Sequence, residues 1–177
     1  MQIYLIRHTK VDVQAGICYG QLDVNVANTY ENERDTVLDN LKGIEFDKIY
    51  SSPLKRCKIL ANAIANNKMA IDFDNRLKEL DFGSWEGQKW LDIESTDEAK
   101  LWFNDYINLP CPNGEAYVDL LARVKQFIDD LKKENGTVAI VCHAGVIRAF
   151  YSIINGILPT DSFNITIDYG AIKEITV

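Results

Sequence analysis

Three short apolar runs, each closed by polar or charged residues, constrain this chain most. Ile3-Tyr4-Leu5-Ile6 gives way to Arg7-His8, Lys48-Ile49-Tyr50 to Ser51-Ser52-Pro53, and Val138-Ala139-Ile140-Val141-Cys142 to His143-Ala144-Gly145. Runs this short and this rich in strand formers are strands, and their lack of polar alternation means burial on both faces, hence a parallel sheet covered by helices. Weaker strand signals cover Ala70 to Phe73 and Asn164 to Val177. The latter breaks at Tyr169-Gly170 and alternates like a hairpin, which places it at an edge.

Helical patterns separate the runs. They cover Asn28 to Leu41, Pro53 to Asn66 (with Ser52 as N-cap and Pro53 at the first helical position), a stripe of Leu120, Leu121, Val124, Phe127, Ile128 and Leu131 closed by Asn135-Gly136, and Gly145 to Ile154. Strands alternating with helices give a layered α/β domain, and 177 residues without a linker or repeat suit a single one, residues 1–177. The segment 85–117 stands apart. It holds all three tryptophans, Trp85, Trp90 and Trp102, with Phe103, Tyr106 and Tyr117, and reads as a cap over a pocket.

No apolar run reaches the roughly 20 residues a membrane helix needs, and Met1 to Arg7 has no leader pattern, so a cytoplasmic protein is expected. A net charge of −7 disfavours nucleic acid and anionic membranes as partners. The four cysteines form no Cys-x-x-Cys pair, which argues against a zinc or redox site.

In open α/β sheets, ligands bind beyond the carboxyl ends of the parallel strands. Those ends carry Arg7-His8, Ser51-Ser52 with Arg56 close behind, and His143-Ala144. Both histidines of the chain and two arginines therefore converge in an acidic protein. Two guanidinium forks and the backbone amides of a helix start suit a phosphate ester. A neutral imidazole held at one nitrogen can attack phosphorus, and the flanking arginines keep His8 uncharged. Glu79, in a polar loop, is the candidate proton donor to the leaving alcohol, with Asp81 and Glu86 as acidic rivals.

Four pieces, Leu5-Ile6-Arg7-His8-Thr9, Ser51-Ser52-Pro53-Leu54-Lys55-Arg56, Glu79 to Gly87 and Val141 to Arg148, resemble in sequence and order the motifs of the histidine phosphatase, or phosphoglycerate mutase-like, superfamily. The resemblance implies a three-layer α/β/α sandwich on a mostly parallel, mixed sheet. It implies His8 as phosphoenzyme nucleophile and Glu79 as proton donor and acceptor, with Arg7, Arg56, His143 and the Ala144 helix start around the phosphate. It implies no metal and no organic cofactor. Gln14 stands where relatives commonly have a phosphate-binding asparagine. The chain departs from the Arg-His-Gly-Glu-Thr form of the first motif, and it is short for a mutase, which favours net hydrolysis.

Arg7-His8-Thr9 followed by Gly16 to Asp23, together with Pro112-Asn113-Gly114-Glu115, looks like the alpha-ribazole phosphatases of cobalamin nucleotide-loop assembly. That implies a small phosphorylated metabolite as partner, with Tyr19, Gly20, Trp85 and Tyr106 as candidates to meet its leaving group. Three alternatives stand beside this reading: another small-molecule or phosphohistidine phosphatase of the superfamily, a cysteine phosphatase using Cys142 and Arg148, and a phosphate-binding module without turnover.

Overall fold

A computed structural model describes residues 1–177. Its sheet has the order β3-β2-β4-β1-β5, from β1 (Gln2–Arg7), β2 (Lys48–Ser51), β3 (Ile71–Phe73), β4 (Thr137–Cys142) and β5 (Ile172–Thr176). β1, β2, β3 and β4 run parallel, and β5 pairs antiparallel with β1. The helices are α1 (Tyr30–Asn40), α2 (Lys55–Ala65), α3 (Trp90–Glu94), α4 (Asp97–Asn104), α5 (Tyr117–Leu131), α6 (Ala144–Asn155) and α7 (Pro159–Ser162). None is long and apolar enough to cross a membrane.

Ile3 to Ile6 of β1 and Val138 to Cys142 of β4 are apolar because these strands serve two cores. Ile3, Leu5, Val138, Ile140 and Cys142 join Leu120, Val124, Phe127, Ile147 and Phe150 of α5 and α6 on one face. Ile6, Ile49, Ala139 and Val141 join Val37 of α1 and Cys57, Leu60 and Ala61 of α2 on the other. The period of two along β1 and β4 sorts neighbouring side chains to opposite layers. This is the α/β/α sandwich that the apolar runs and the motif resemblance imply.

Two local expectations are corrected. Helix α2 starts at Lys55 rather than Pro53, with Leu54 as N-cap in an extended conformation. Ser52 lies ahead of the cap position: its hydroxyl accepts from Leu54 N (3.3 Å) and is held 2.8 Å from His143 Nε2. The Asn164 to Val177 region forms no hairpin: only β5 pairs, at the sheet edge. Residues before it are drawn to the end of β1, where Arg7 Nη1 donates to the Ile167 carbonyl (2.6 Å) and Gly170 N to the His8 carbonyl (3.1 Å).

Residues 85–117 are anchored on the larger core by Trp85, Ile93, Ala99, Trp102, Cys111 and Tyr117. Trp85 is edge-on to Trp102 with ring centroids 5.4 Å apart, and Trp102 touches Phe103 and Tyr106 at 5.0 and 5.9 Å. Gly83 (φ +55°) lets this segment close on itself, because a Cβ there would strike the Pro112 carbonyl. Since Trp102 is buried in that core, Trp102→Ala should cost about 3–5 kcal/mol of stability in urea unfolding. A surface ring would cost within about 0.5 kcal/mol, and that result would contradict the packing described.

Candidate active site

Parallel pairing of β1 with β4 puts Arg7 opposite Cys142, so the next residues, His8 and His143, leave the sheet side by side. Their rings meet edge to face at 5.1 Å. Both are buried, at 2% and 0% exposure, as is Arg56 at 0%. Burial of two imidazoles and a guanidinium in one place is costly unless their charges and hydrogen bonds are arranged.

His8 Nδ1 lies 2.7 Å from the Thr9 carbonyl oxygen. A carbonyl only accepts, so Nδ1 carries the proton and Nε2 keeps its lone pair. Burial above all, then the charge of Arg56 and of Arg7, holds His8 well below its ordinary pKa, against the raising effect of the Thr9 hydrogen bond. His8 is thus a neutral imidazole with one fixed tautomer. His143 is likewise lowered, by burial first and by Arg56 next. Its Nδ1 accepts from Arg56 Nη2 (3.3 Å) and its Nε2–H donates to Ser52 Oγ (2.8 Å), so both nitrogens are engaged within the protein.

Arg56 is aimed by carbonyls of the loop before it: Nη1 donates to Leu22 O (2.8 Å) and Nη2 to Gly20 O (2.6 Å). Gly20, at φ +31°, has no room for a Cβ against Glu86, the Leu80 carbonyl and Phe82. Arg7 is stacked on Tyr169, its Cζ 3.9 Å from the ring centroid. The Nε atoms of both Arg7 and Arg56 are buried donors with no partner in the protein, and so is the Thr9 hydroxyl. Three idle donors around a neutral imidazole suit an acceptor-rich anion.

Glu79, in the loop after residues 75–77, sets its carboxylate against the start of α6. Its carboxylate accepts from Leu80 N (3.0 Å) and Gly145 N (3.3 Å). It occupies the space a Cβ of Gly145 would fill. Its main chain is gripped by Arg123 of α5, whose Nη1 donates to Arg76 O (2.8 Å) and Lys78 O (2.6 Å) and whose Nη2 donates to Glu79 O (2.8 Å). Glu115 locks Arg123 in turn, at 2.8 and 2.9 Å. Beside Glu79 lies a cavity of about 110 Å³ lined by Phe82, Tyr117, Arg148 and Phe163.

The structure therefore brings together Arg7, His8, Arg56, Glu79, His143 and Ala144. Tyr19 joins them: its hydroxyl is 2.9 Å from that of Tyr169, and Arg56 lies over its ring at 5.2 Å. Gln14 is exposed, in a cavity lined also by Tyr19 and Tyr169. The two expected rings lie farther out. Trp85, 4% exposed, is occupied by packing on Trp102. Tyr106 packs between Trp102 and Phe163. The Cys142 alternative is also corrected: its side chain points into the larger core, and burial holds the thiol well above its ordinary pKa, where it is no nucleophile.

Tyr169, Ser52, Thr9 and Arg123 are the residues that sequence reasoning missed. Tyr169 was visible only as half of a turn. Arg123 had one signal, a charge flanked on the helix by the apolar positions Leu120 and Val124.

A model of the histidine phosphatase superfamily (branch 1) matches residues 3–177. A Hydrogenobacter thermophilus protein with the provisional name phosphoserine phosphatase 2 is 30% identical over 98% of this chain and 88% of its own. The glucosyl-3-phosphoglycerate phosphatase of Mycolicibacterium vanbaalenii is 25% identical over 92% of this chain and 77% of its own. Among solved structures, the alpha-ribazole phosphatase of Shigella flexneri superposes with a TM-score of 0.93 at 22% identity, covering 100% of this chain and 91% of that one, which speaks for the fold.

Two outcomes follow from this geometry. Both histidines are depressed in the folded state, so below about pH 6.5 the unfolded chain binds protons that the folded one refuses. Stability should then fall as pH drops below that value, by up to about 1.4 kcal/mol per pH unit for each histidine. Urea unfolding at pH 7 and 5.5 reads the slope, His143→Asn should shallow it, and equal stability at both pH values would contradict the burial argument. Second, Arg123→Met removes five hydrogen bonds and strands Glu115. It should cost about 2–4 kcal/mol, more than the median of an exposed ion pair; a loss under about 1 kcal/mol would show that the loop holds Glu79 unaided.

Proposed function

The chain belongs to the histidine phosphatase superfamily, branch 1, and on that premise we propose that it is a phosphomonoesterase working through a phosphohistidine at His8. One observation carries the reading: a buried, neutral imidazole with its tautomer pinned by a main-chain carbonyl and its Nε2 lone pair left bare, beside arginines with idle donors.

Arg7 and Arg56 hold the phosphoryl oxygens and offset the charge that builds on them. His8 Nε2 attacks phosphorus; the P–O bond to the leaving group breaks, and that oxygen takes a proton from Glu79. In the second half Glu79 removes a proton from water, the water oxygen displaces Nε2 from phosphorus, and inorganic phosphate leaves with His8 regenerated. The Thr9 carbonyl holds the positive Nδ1–H while the phosphoimidazole exists. His143, with both nitrogens engaged, steadies Arg56 and the floor under His8, and the Ala144 helix start adds a favourable dipole. No step calls on a metal or organic cofactor. Residues 85–117 serve as one wall of the cleft through Tyr117 and as a brace for the 16–18 loop.

The substrate in this reading is a small phosphorylated metabolite, with alpha-ribazole 5′-phosphate first. The stretch from Arg7 to Asp23 and the Pro112 to Glu115 turn support it. A second reading, phosphoserine, is favoured by the relative that is 30% identical over nearly the whole chain.

The deciding experiment is phosphate release from alpha-ribazole 5′-phosphate, phosphoserine, 3-phosphoglycerate and a chromogenic aryl phosphate, with EDTA present. Wild type should turn over at least one. His8→Ala should abolish turnover, and Glu79→Gln should slow it roughly 10²–10⁴-fold. Radiolabelled phosphate should be trapped on wild type and not on His8→Ala. Full turnover by His8→Ala would sink the mechanism.

A further inference from the structure

Two tyrosines beside the arginines have no part in the steps above. Tyr19 and Tyr169, 150 residues apart in the chain, meet hydroxyl to hydroxyl at 2.9 Å. Each ring lies against one arginine of the phosphate clamp, Tyr169 with Arg7 Cζ 3.9 Å from its centroid and Tyr19 with Arg56 Cζ at 5.2 Å. Resting on the phosphatase reading, we propose that this hydroxyl bridge is a positioning device: it fixes the spacing of Arg7 and Arg56 across the phosphoryl group, and acts on the transition state more than on the bound ester.

The two loops it joins hang on different parts of the fold. Residues 16–22 are fastened to residues 87–90: Cys18 N donates to Gln88 O (2.9 Å), Gly87 N to Cys18 O (2.7 Å) and Trp90 N to Gly16 O (2.8 Å). This loop supplies the Gly20 and Leu22 carbonyls that aim Arg56, and its Gln21 Nε2 donates to Glu79 O (3.0 Å). Residues 167–171 are fastened to β1 instead, with Arg7 N donating to Ala171 O at 2.9 Å, and they supply the Ile167 carbonyl that aims Arg7. No hydrogen bond other than the tyrosine bridge joins the two loops. It therefore ties the side of the cleft that holds Arg56 and Glu79 to the side that holds Arg7 and His8.

The bridge also closes a ring of contacts at the nucleophile. The ring runs from Arg7 through Tyr169, Tyr19 and Arg56 to His143, and the Tyr169 and His143 rings flank His8 at 5.6 and 5.1 Å. Burial, then the bond to Tyr169, pushes the Tyr19 hydroxyl above its ordinary pKa, so the bridge keeps its hydrogen at neutral pH. The preference for the transition state is geometric. A tetrahedral ester is held by either guanidinium fork, whereas in-line transfer spreads charge over three equatorial oxygens and calls on both forks at a fixed spacing. A misplacement of about 1 Å costs about 100-fold in rate.

Tyr19→Phe and Tyr169→Phe each delete the bridge and keep the ring against its arginine, so they are two routes to one loss. On whichever ester wild type prefers, each should lose roughly 10-fold in kcat with KM within about 2-fold, and the double variant should lose no more than the worse single, because one bond is removed only once. Inhibition by vanadate, which takes the trigonal-bipyramidal geometry of the transferring group, should weaken roughly 10-fold while affinity for inorganic phosphate stays within about 2-fold. Urea unfolding of all three variants checks that they are folded under assay conditions. Losses that multiply in the double variant, an unchanged kcat, or vanadate and phosphate weakening equally would overturn the proposal; the last is what a bridge that only stabilises the fold gives. Failure of wild type to release phosphate from any ester would strike the phosphatase reading instead, and the vanadate-to-phosphate ratio, measured by calorimetry, would still decide the bridge.

Discussion

The parallel ladder between β1 and β4 is the constraint on which the rest depends. Its register sets Arg7 opposite Cys142, and every site residue that follows those two strands inherits its position from that pairing. A slip of one residue would turn Ile3, Leu5, Val138 and Ile140 from the larger core toward the smaller one. The register is therefore enforced by two cores at once, and the adjacency of His8 and His143 is a by-product of burying apolar side chains.

Charge is handled with the same economy. The chain is acidic overall, at −7, yet its cleft is cationic because Arg56 and Arg7 are pulled inward by carbonyls of Gly20, Leu22 and Ile167. These neutral acceptors orient the guanidinium groups without cancelling their charge, as a carboxylate partner would. The same two charges, added to burial, keep the imidazoles unprotonated. One arrangement thus attracts the anion and readies the nucleophile.

Much of this was legible in the sequence, for a physical reason: strand ends can be read from where apolar runs stop, and α/β sheets place their chemistry at those ends. His8, Arg7, Arg56 and His143 were found that way. What depended on the direction a side chain takes was not legible. Trp85 could pack or stack on a ligand with the same composition around it, and only the Trp102 contact separates the two. Ser52 looked like a helix cap because Ser-Pro favours one, but the helix starts at Lys55, and the Ser52 hydroxyl serves the Leu54 amide and a buried histidine instead. Tyr169 sits 161 residues after His8 and joins it through the antiparallel edge strand, a pairing that no local pattern reports. Arg123 escaped because three of its five hydrogen bonds go to main-chain carbonyls, which every sequence has.

That last feature has a consequence for how the protein can vary. His8 is pinned by the carbonyl of residue 9, and the Glu79 loop by the carbonyls of residues 76, 78 and 79. No substitution at those four positions deletes the acceptor, since the peptide group survives a change of side chain. The scaffold of the cleft is in this sense written in the backbone, and drift at Thr9, Arg76 or Lys78 can proceed without erasing the hydrogen bonds that orient the reacting groups.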